Sequence, residues 1–111
     1  IFTSGERLYA DPIIRIIWPF LDEQHKLFRN SCTFENFEVH KDLKAFNRPE
    51  NEIILVEDNV LSKKYFPENT IIVPKWFGEP NDKILISWLP DILDDCVKSH
   101  DVRKVIKHID D

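Results

Sequence analysis

The run Ile53-Ile54-Leu55-Val56, followed at once by Glu57-Asp58-Asn59, constrains this chain more than any other stretch. Four consecutive apolar residues, three of them β-branched, predict a short strand buried on both faces, the pattern of an interior strand in a parallel α/β sheet. In open α/β sheets ligands bind just past the carboxyl ends of the strands. Glu57 and Asp58 therefore stand where carboxylates hold a divalent cation or serve proton transfer. The alternative is local: the two acids and Asn59 end the strand and turn the chain, as Asp and Asn commonly do.

Around that strand the order of elements predicts an α/β layout. Ile1-Phe2-Thr3 reads as the tail of a strand, which with the absence of Met suggests that a segment precedes it. Glu6 to Ile17 reads as a helix, with either Ser4 as N-cap and a kink at Pro12, or Asp11 as cap and Pro12 in the first turn. Lys26 to Arg29 reads as a short strand, and Ser31–Phe34 with Phe37–His40 as a hairpin turning at Glu35-Asn36. After the central strand come an irregular or helical segment over Leu61–Phe66 and a strand over 70–73. A helix then starts near Asn81 or Asp82 and bends at Pro90, and a last helix is capped by Ser99, with Val102, Val105, Ile106 and Ile109 on one side. The sequence β, α, β, hairpin, β, β, α, α predicts a mainly parallel sheet flanked by helices.

Length and apolar content, 111 residues and 42%, suit one domain with a real core. The net charge of −5 argues against a direct nucleic-acid binder, since phosphate backbones attract basic surfaces. Cys32 and Cys96 show no metal-ligand spacing, which fits a reduced intracellular setting and leaves a single disulfide open. No apolar run approaches the roughly 20 residues of a membrane-spanning helix. Trp76, Phe77 and Trp88 read as packing aromatics. His25, His40, His100 and His108 read as solvated, and the charges over 98–107 as a wet helix face.

The motifs taken together carry a resemblance. Ile1-Phe2-Thr3-Ser4, Tyr9-Ala10-Asp11-Pro12, Leu27-Phe28-Arg29-Asn30-Ser31-Cys32, Lys41-Asp42-Leu43, Ile54-Leu55-Val56-Glu57-Asp58, Pro67-Glu68-Asn69, Trp76-Phe77 and Asn81-Asp82 occur in order along nearly the whole chain. The set closely resembles the phosphatases that act on the C-terminal domain of RNA polymerase II, members of the haloacid dehalogenase superfamily. The resemblance implies one Rossmann-like phosphatase domain over 1–111 that lacks its first strand. It also implies phosphoserine or phosphothreonine in proteins or peptides as substrate, and Mg²⁺ as cofactor.

Carried over by position, Thr3 corresponds to the hydroxyl residue that contacts the phosphoryl group and Lys41 to the lysine that neutralises charge there. Glu57 and Asp58 correspond to the acidic metal-site pair, with Asp58 the direct Mg²⁺ ligand. Tyr9 and Arg29 fall where relatives meet the substrate, Tyr9 lining a pocket for an apolar or proline-bearing residue and Arg29 meeting the peptide. Phosphoryl transfer depends on positioning and charge stabilisation, which these residue types supply.

The departures are equally specific. The Asp-x-Asp strand that carries the family's nucleophile and acid/base is absent from these 111 residues, so this stretch by itself is expected to be inactive until an upstream segment or second chain completes the sheet. Glu57 replaces the usual Asp, and Asn59-Val60 the usual Ser-Pro. A receptor at the mitochondrial inner membrane that hands on presequence proteins is similar in this same region, and the resemblance to it implies the alternative to a nuclear or cytoplasmic enzyme, a module that grips extended peptides without phosphatase chemistry.

Overall fold

The computed structural model describes residues 1–109, and these form two compact units, Ile1–Ala45 and Phe46 onward.

In the first unit, helix α1 (Arg7–Ile17) packs one face inward through Ala10 and Ile14, four residues apart, onto Phe28 and Leu21. Neither cap expected for this helix forms. The N-cap is Glu6, without a side-chain bond, and Pro12 lies inside the helix. The carbonyl of Leu8 thereby loses its partner, but Leu8 is 91% exposed, so water can replace the bond. The polar residue on the inner face is Asp11. Its carboxylate accepts from Lys26 Nζ at 3.0 Å, with both side chains about nine-tenths buried, and from Arg15 at 3.2 Å. That pairing holds the Asp11 carboxyl below the usual carboxylate range, chiefly through the Lys26 hydrogen bond. It also ties the helix to the segment behind it, where Arg7 lies over the Phe28 ring at 4.3 Å.

The strand expected over Lys26–Arg29 shrinks to one parallel bridge between Leu27 and Phe2, fastened by Thr3 N–H to Leu27 O and Leu27 N–H to Ile1 O. Arg29–Ser31 turns instead into a 3-10 helix. The hairpin does form, from β1 (Thr33–Glu35) and β2 (Glu38–His40). Its turn residues are Asn36 and Phe37, at φ 53° and 63°, one position later than expected. Two positive φ values match the twist of a tight hairpin; Asn accepts them more readily than Phe. His40 is buried rather than solvated, with Nε2 4.0 Å from the Glu35 carboxylate.

The second unit contains the central strand. β3 (Leu55–Glu57) pairs in parallel with β4 (Thr70–Ile72), Val56 opposite Ile71. The expectation of burial on both faces fails at Val56, which is 40% exposed; among the described residues β3 pairs with β4 alone. On the face that Val56 shares with its register partner, Ile71 joins Leu89, Cys96, Val102 and Ile106 in the core, with Ile54, Ile92 and Val105 against it. Apart from Ile71 and Ile54, those residues come from α2 (Leu89–Lys98) and α3 (Val102–Ile106).

The helix expected from Asn81 or Asp82 is not one continuous α-helix through Pro90. Pro90 sits in the first turn of α2, and the preceding Ile84–Trp88 turn is π-helical, with Leu89 N–H reaching Ile84 O. The cap of α3 is Asp101, whose Oδ1 accepts from Arg103 N–H at 3.0 Å. Ser99, the expected cap, accepts from Asp101 N–H instead. Asp101 also grips the Arg103 guanidinium at 2.9 Å, which holds its carboxyl below the ordinary range.

Candidate functional site

Two of the candidate residues end β3. Glu57 is buried at 8% exposure and its carbonyl accepts from Val73 N–H at 2.8 Å, which closes the β3–β4 ladder. Asp58, the next residue, is exposed and lines an open cleft of about 420 Å³ with Asn59, Val60, Ile72, Val73, Pro74 and Lys75. The cleft lies just past the carboxyl ends of both strands, where the sheet topology expects a ligand. The two acids therefore differ in role: one is enclosed in the fold, the other offered to solvent. The turn reading also holds, for Asn59 Oδ1 accepts from Leu61 N–H at 3.1 Å and caps the Val60–Lys64 turn.

What holds β3 at this height is the last residue of the Pro67-Glu68-Asn69 motif, to which the motif order assigns no role. Asn69, 3% exposed, donates its side-chain amide to the carbonyls of Glu50 at 2.7 Å and Ile53 at 2.9 Å, while its backbone carbonyl accepts from Leu55 N–H at 2.8 Å. It thereby fixes the chain entering β3 from one side and β4 from the other. A buried Asn directly before an apolar strand was the available signal, since a buried amide must find partners.

The other four candidates belong to the first unit. Thr3 Oγ1 accepts from Gly5 N–H at 3.0 Å, which leaves the hydroxyl proton as a donor. Gly5 is tightly placed: a Cβ there would meet Thr3 Oγ1 at 3.3 Å and the Tyr9 ring at 3.5 Å. Thr3 and Tyr9 are thus neighbours across Gly5, and the Tyr9 side chain stands 72% exposed rather than packed under its helix. Arg29 closes the same loop. Its N–H donates to Gly5 O at 3.0 Å, its Nε to Ser4 O at 2.7 Å, and its guanidinium lies 3.6 Å from Glu6. Lys41 follows β2 and is half-buried.

The structure therefore assembles Thr3, Tyr9 and Arg29 around one loop, with Glu57 and Asp58 at the strand ends of the second unit. The aromatics expected to pack do not: Trp76 and Phe77 are 66% and 80% exposed, and Trp88 38%. The loop of Trp76 and Phe77 turns at Gly78, φ 92°, and is flanked by Pro74 and Pro80, so it forms neither the strand nor the helix that would turn these rings inward. Among the described residues no three His, Cys, Asp or Glu side chains converge as a metal cluster. The single exposed carboxylate of Asp58 at the cleft is the type of ligand that suits a hard cation retaining several waters.

Comparison with known proteins agrees with the motif order. The family model for NLI interacting factor-like phosphatase matches residues 1–103. A probable C-terminal domain small phosphatase of Dictyostelium discoideum is 36% identical over 110 residues, covering 96% of this chain and 34% of the relative. The mitochondrial import inner membrane translocase subunit tim50 of Neurospora crassa is 34% identical over 108 residues, covering 96% of this chain and 20% of the relative. A CTD small phosphatase-like protein 1 of Caenorhabditis elegans is 30% identical over 92 residues, 83% of this chain and 19% of the relative. The chain thus spans between a fifth and a third of the length of the relatives it matches.

Proposed function

The chain belongs to the NLI interacting factor-like phosphatase family, and on that premise we propose that it forms part of a single phosphatase domain, inside the cell, that hydrolyses phosphoserine or phosphothreonine in proteins. The observation that carries this reading is the placement of Asp58, exposed on a cleft at the carboxyl ends of two parallel strands. In this reading Asp58 would hold Mg²⁺, which when bound neutralises charge on the phosphoryl oxygens. Glu57 fixes the end of β3. Thr3 donates its free hydroxyl proton to the phosphoryl group, and Lys41 brings a second positive charge. Tyr9 and Arg29 meet the substrate chain: the exposed ring offers an apolar wall, and the guanidinium, already anchored through Nε, keeps donors free. In this reading the nucleophile would come from an Asp-x-Asp strand, a motif these 111 residues do not contain.

A second reading is a polypeptide-binding relative without phosphatase chemistry. It is favoured by the similarity to the Neurospora translocase subunit, whose identity is close to that of the Dictyostelium phosphatase. Phosphate release from a phosphoserine peptide by the full-length protein separates the two. The first reading expects Mg²⁺-dependent release, reduced at least tenfold by Thr3→Val and by Lys41→Ala. Peptide binding without release would establish the second.

A further inference from the structure

The loop that carries Thr3, Tyr9 and Arg29 holds one more charged side chain, to which neither proposed reading gives a role. Glu6 is the N-cap of α1 through its backbone, its carbonyl accepting from Tyr9 N–H at 3.0 Å and Ala10 N–H at 2.9 Å. N-cap side chains commonly accept from the first-turn N–H groups, but the Glu6 carboxylate makes no such bond. It faces Arg29 instead. Oε1 lies 3.6 Å from Nη1, within ion-pair reach and beyond a hydrogen bond, with both side chains more than half exposed. Oε2 has no partner among the described residues. Arg29 is held on its own side by Nε to Ser4 O at 2.7 Å, so the carboxylate stands against a fixed cation. The neighbouring Arg7 is engaged elsewhere, with Glu23 and over the Phe28 ring.

Arg29 alone would make this corner a cationic wall that favours an acidic residue of the substrate. With Glu6 beside it, the two charges offset each other at a distance, and the open Oε2 presents a negative edge at contact. Tyr9 is the third residue of α1, and N-cap and N3 are close enough for each to reach the other in a capping box. Its exposed ring borders Gly5 together with Thr3 Oγ1, the hydroxyl assigned to the phosphoryl group. A carboxylate edge one turn from an exposed aromatic ring suits a lysine or arginine, whose methylene stem lies along the ring while its cationic head meets the acid.

We propose that Glu6 sets the charge preference of the site for the residue next to the phosphorylated one, admitting a lysine or arginine against Glu6 and Tyr9 and disfavouring an acid. This inference rests on reading the loop of Thr3, Tyr9 and Arg29 as a face that meets the substrate chain. It adds a specificity-determining residue to that face.

The test uses the full-length protein and two fluorescein-labelled glycine-serine peptides that carry a non-hydrolysable phosphonate analogue of phosphoserine. In one peptide the analogue is flanked on both sides by lysine, in the other by glutamate. Dissociation constants are read by fluorescence anisotropy at about 0.15 M salt, where charges further than about 8 Å apart are largely screened and the net charge of the protein contributes little. The lysine peptide is expected to bind about tenfold more tightly, the combined scale of one exposed attraction and one exposed repulsion. The preference should be lost in Glu6→Gln and inverted in Glu6→Lys. The Glu6 side chain caps nothing, so neither change removes a bond of the helix, and a uniform loss of folded protein leaves the ratio between the two peptides unmoved. Equal binding of the two peptides, binding of neither, or a ratio unchanged in Glu6→Gln would each overturn the inference. Hydrolysis of p-nitrophenyl phosphate by the unsubstituted protein with Mg²⁺ is read in parallel. A preference that depends on Glu6 without hydrolysis refutes the phosphatase reading and supports this one, while hydrolysis without the preference refutes this one alone.

Discussion

Replacing Asn69 with Ala tests the account of how β3 is held. The side-chain amide makes two hydrogen bonds, to Glu50 O at 2.7 Å and to Ile53 O at 2.9 Å, and the second is buried. Truncation leaves the Ile53 carbonyl unsatisfied, at a cost of about 1–3 kcal/mol, and releases the Glu50 carbonyl to water, at a cost of about 0.5–1.5 kcal/mol. The expected loss is therefore about 1.5–4.5 kcal/mol of unfolding free energy, a large fraction of what a domain of this size possesses. Urea denaturation of the full-length protein, followed by circular dichroism, would show a lower midpoint with an unchanged slope if the native state alone is affected. Asn51 provides the control. Its amide also reaches a carbonyl, that of His100 at 3.0 Å, but the bond is exposed, so Asn51→Ala should cost no more than about 1 kcal/mol. A loss at Asn69 no larger than that at Asn51 would refute the claim that the buried amide fixes the strand.

Acid and alkylation provide two more predictions. Asp11 and Asp101 carry carboxyls whose folded-state pKa is lowered, by Lys26 and Arg103 respectively. The unfolded chain takes up those protons first, so their stabilisation is complete above about pH 4 and is lost as pH falls through the folded-state values. Lys26→Met should move the Asp11 titration, read by carboxyl NMR, back up toward the ordinary range; an unchanged titration would contradict the pairing. Burial, with Asp95 adding to it, raises the Cys96 thiol, while Cys32 is only half-buried. Iodoacetamide at neutral pH should therefore modify Cys32 well before Cys96, and equal rates followed by mass spectrometry would count against the buried core position.

The residues that were legible in the sequence are those whose roles are local or follow from motif order. The apolar run ending in Glu57-Asp58 yielded a parallel strand with acids at its carboxyl end, and the hairpin and both amphipathic helices formed near their expected places. The cap of the last helix was misread because Ser and Asp offer the same chemistry two residues apart, and tertiary contacts choose between them. Ser99 was passed over once Asp101 could bond both Arg103 N–H and its guanidinium. Burial was the other weak point. An apolar run states that a strand can be covered on both faces, but the cover comes from other elements, and Val56 stays 40% exposed. The same reasoning accounts for Trp76 and Phe77, apolar by type yet carried outward by a turn at Gly78. The Lys26–Asp11 pair was invisible because it joins residues fifteen apart through the packing of α1.

The most direct test of the central claim is phosphate release from a phosphoserine peptide by the full-length protein across a Mg²⁺ titration, with Asp58→Ala measured alongside. The account predicts release that rises and saturates with Mg²⁺ in the unsubstituted protein. In Asp58→Ala it predicts release lower by a factor of about 100 or more, on the scale seen when charge-stabilising groups are removed from such sites. Release that is indifferent to Mg²⁺ and to the loss of Asp58 would contradict it.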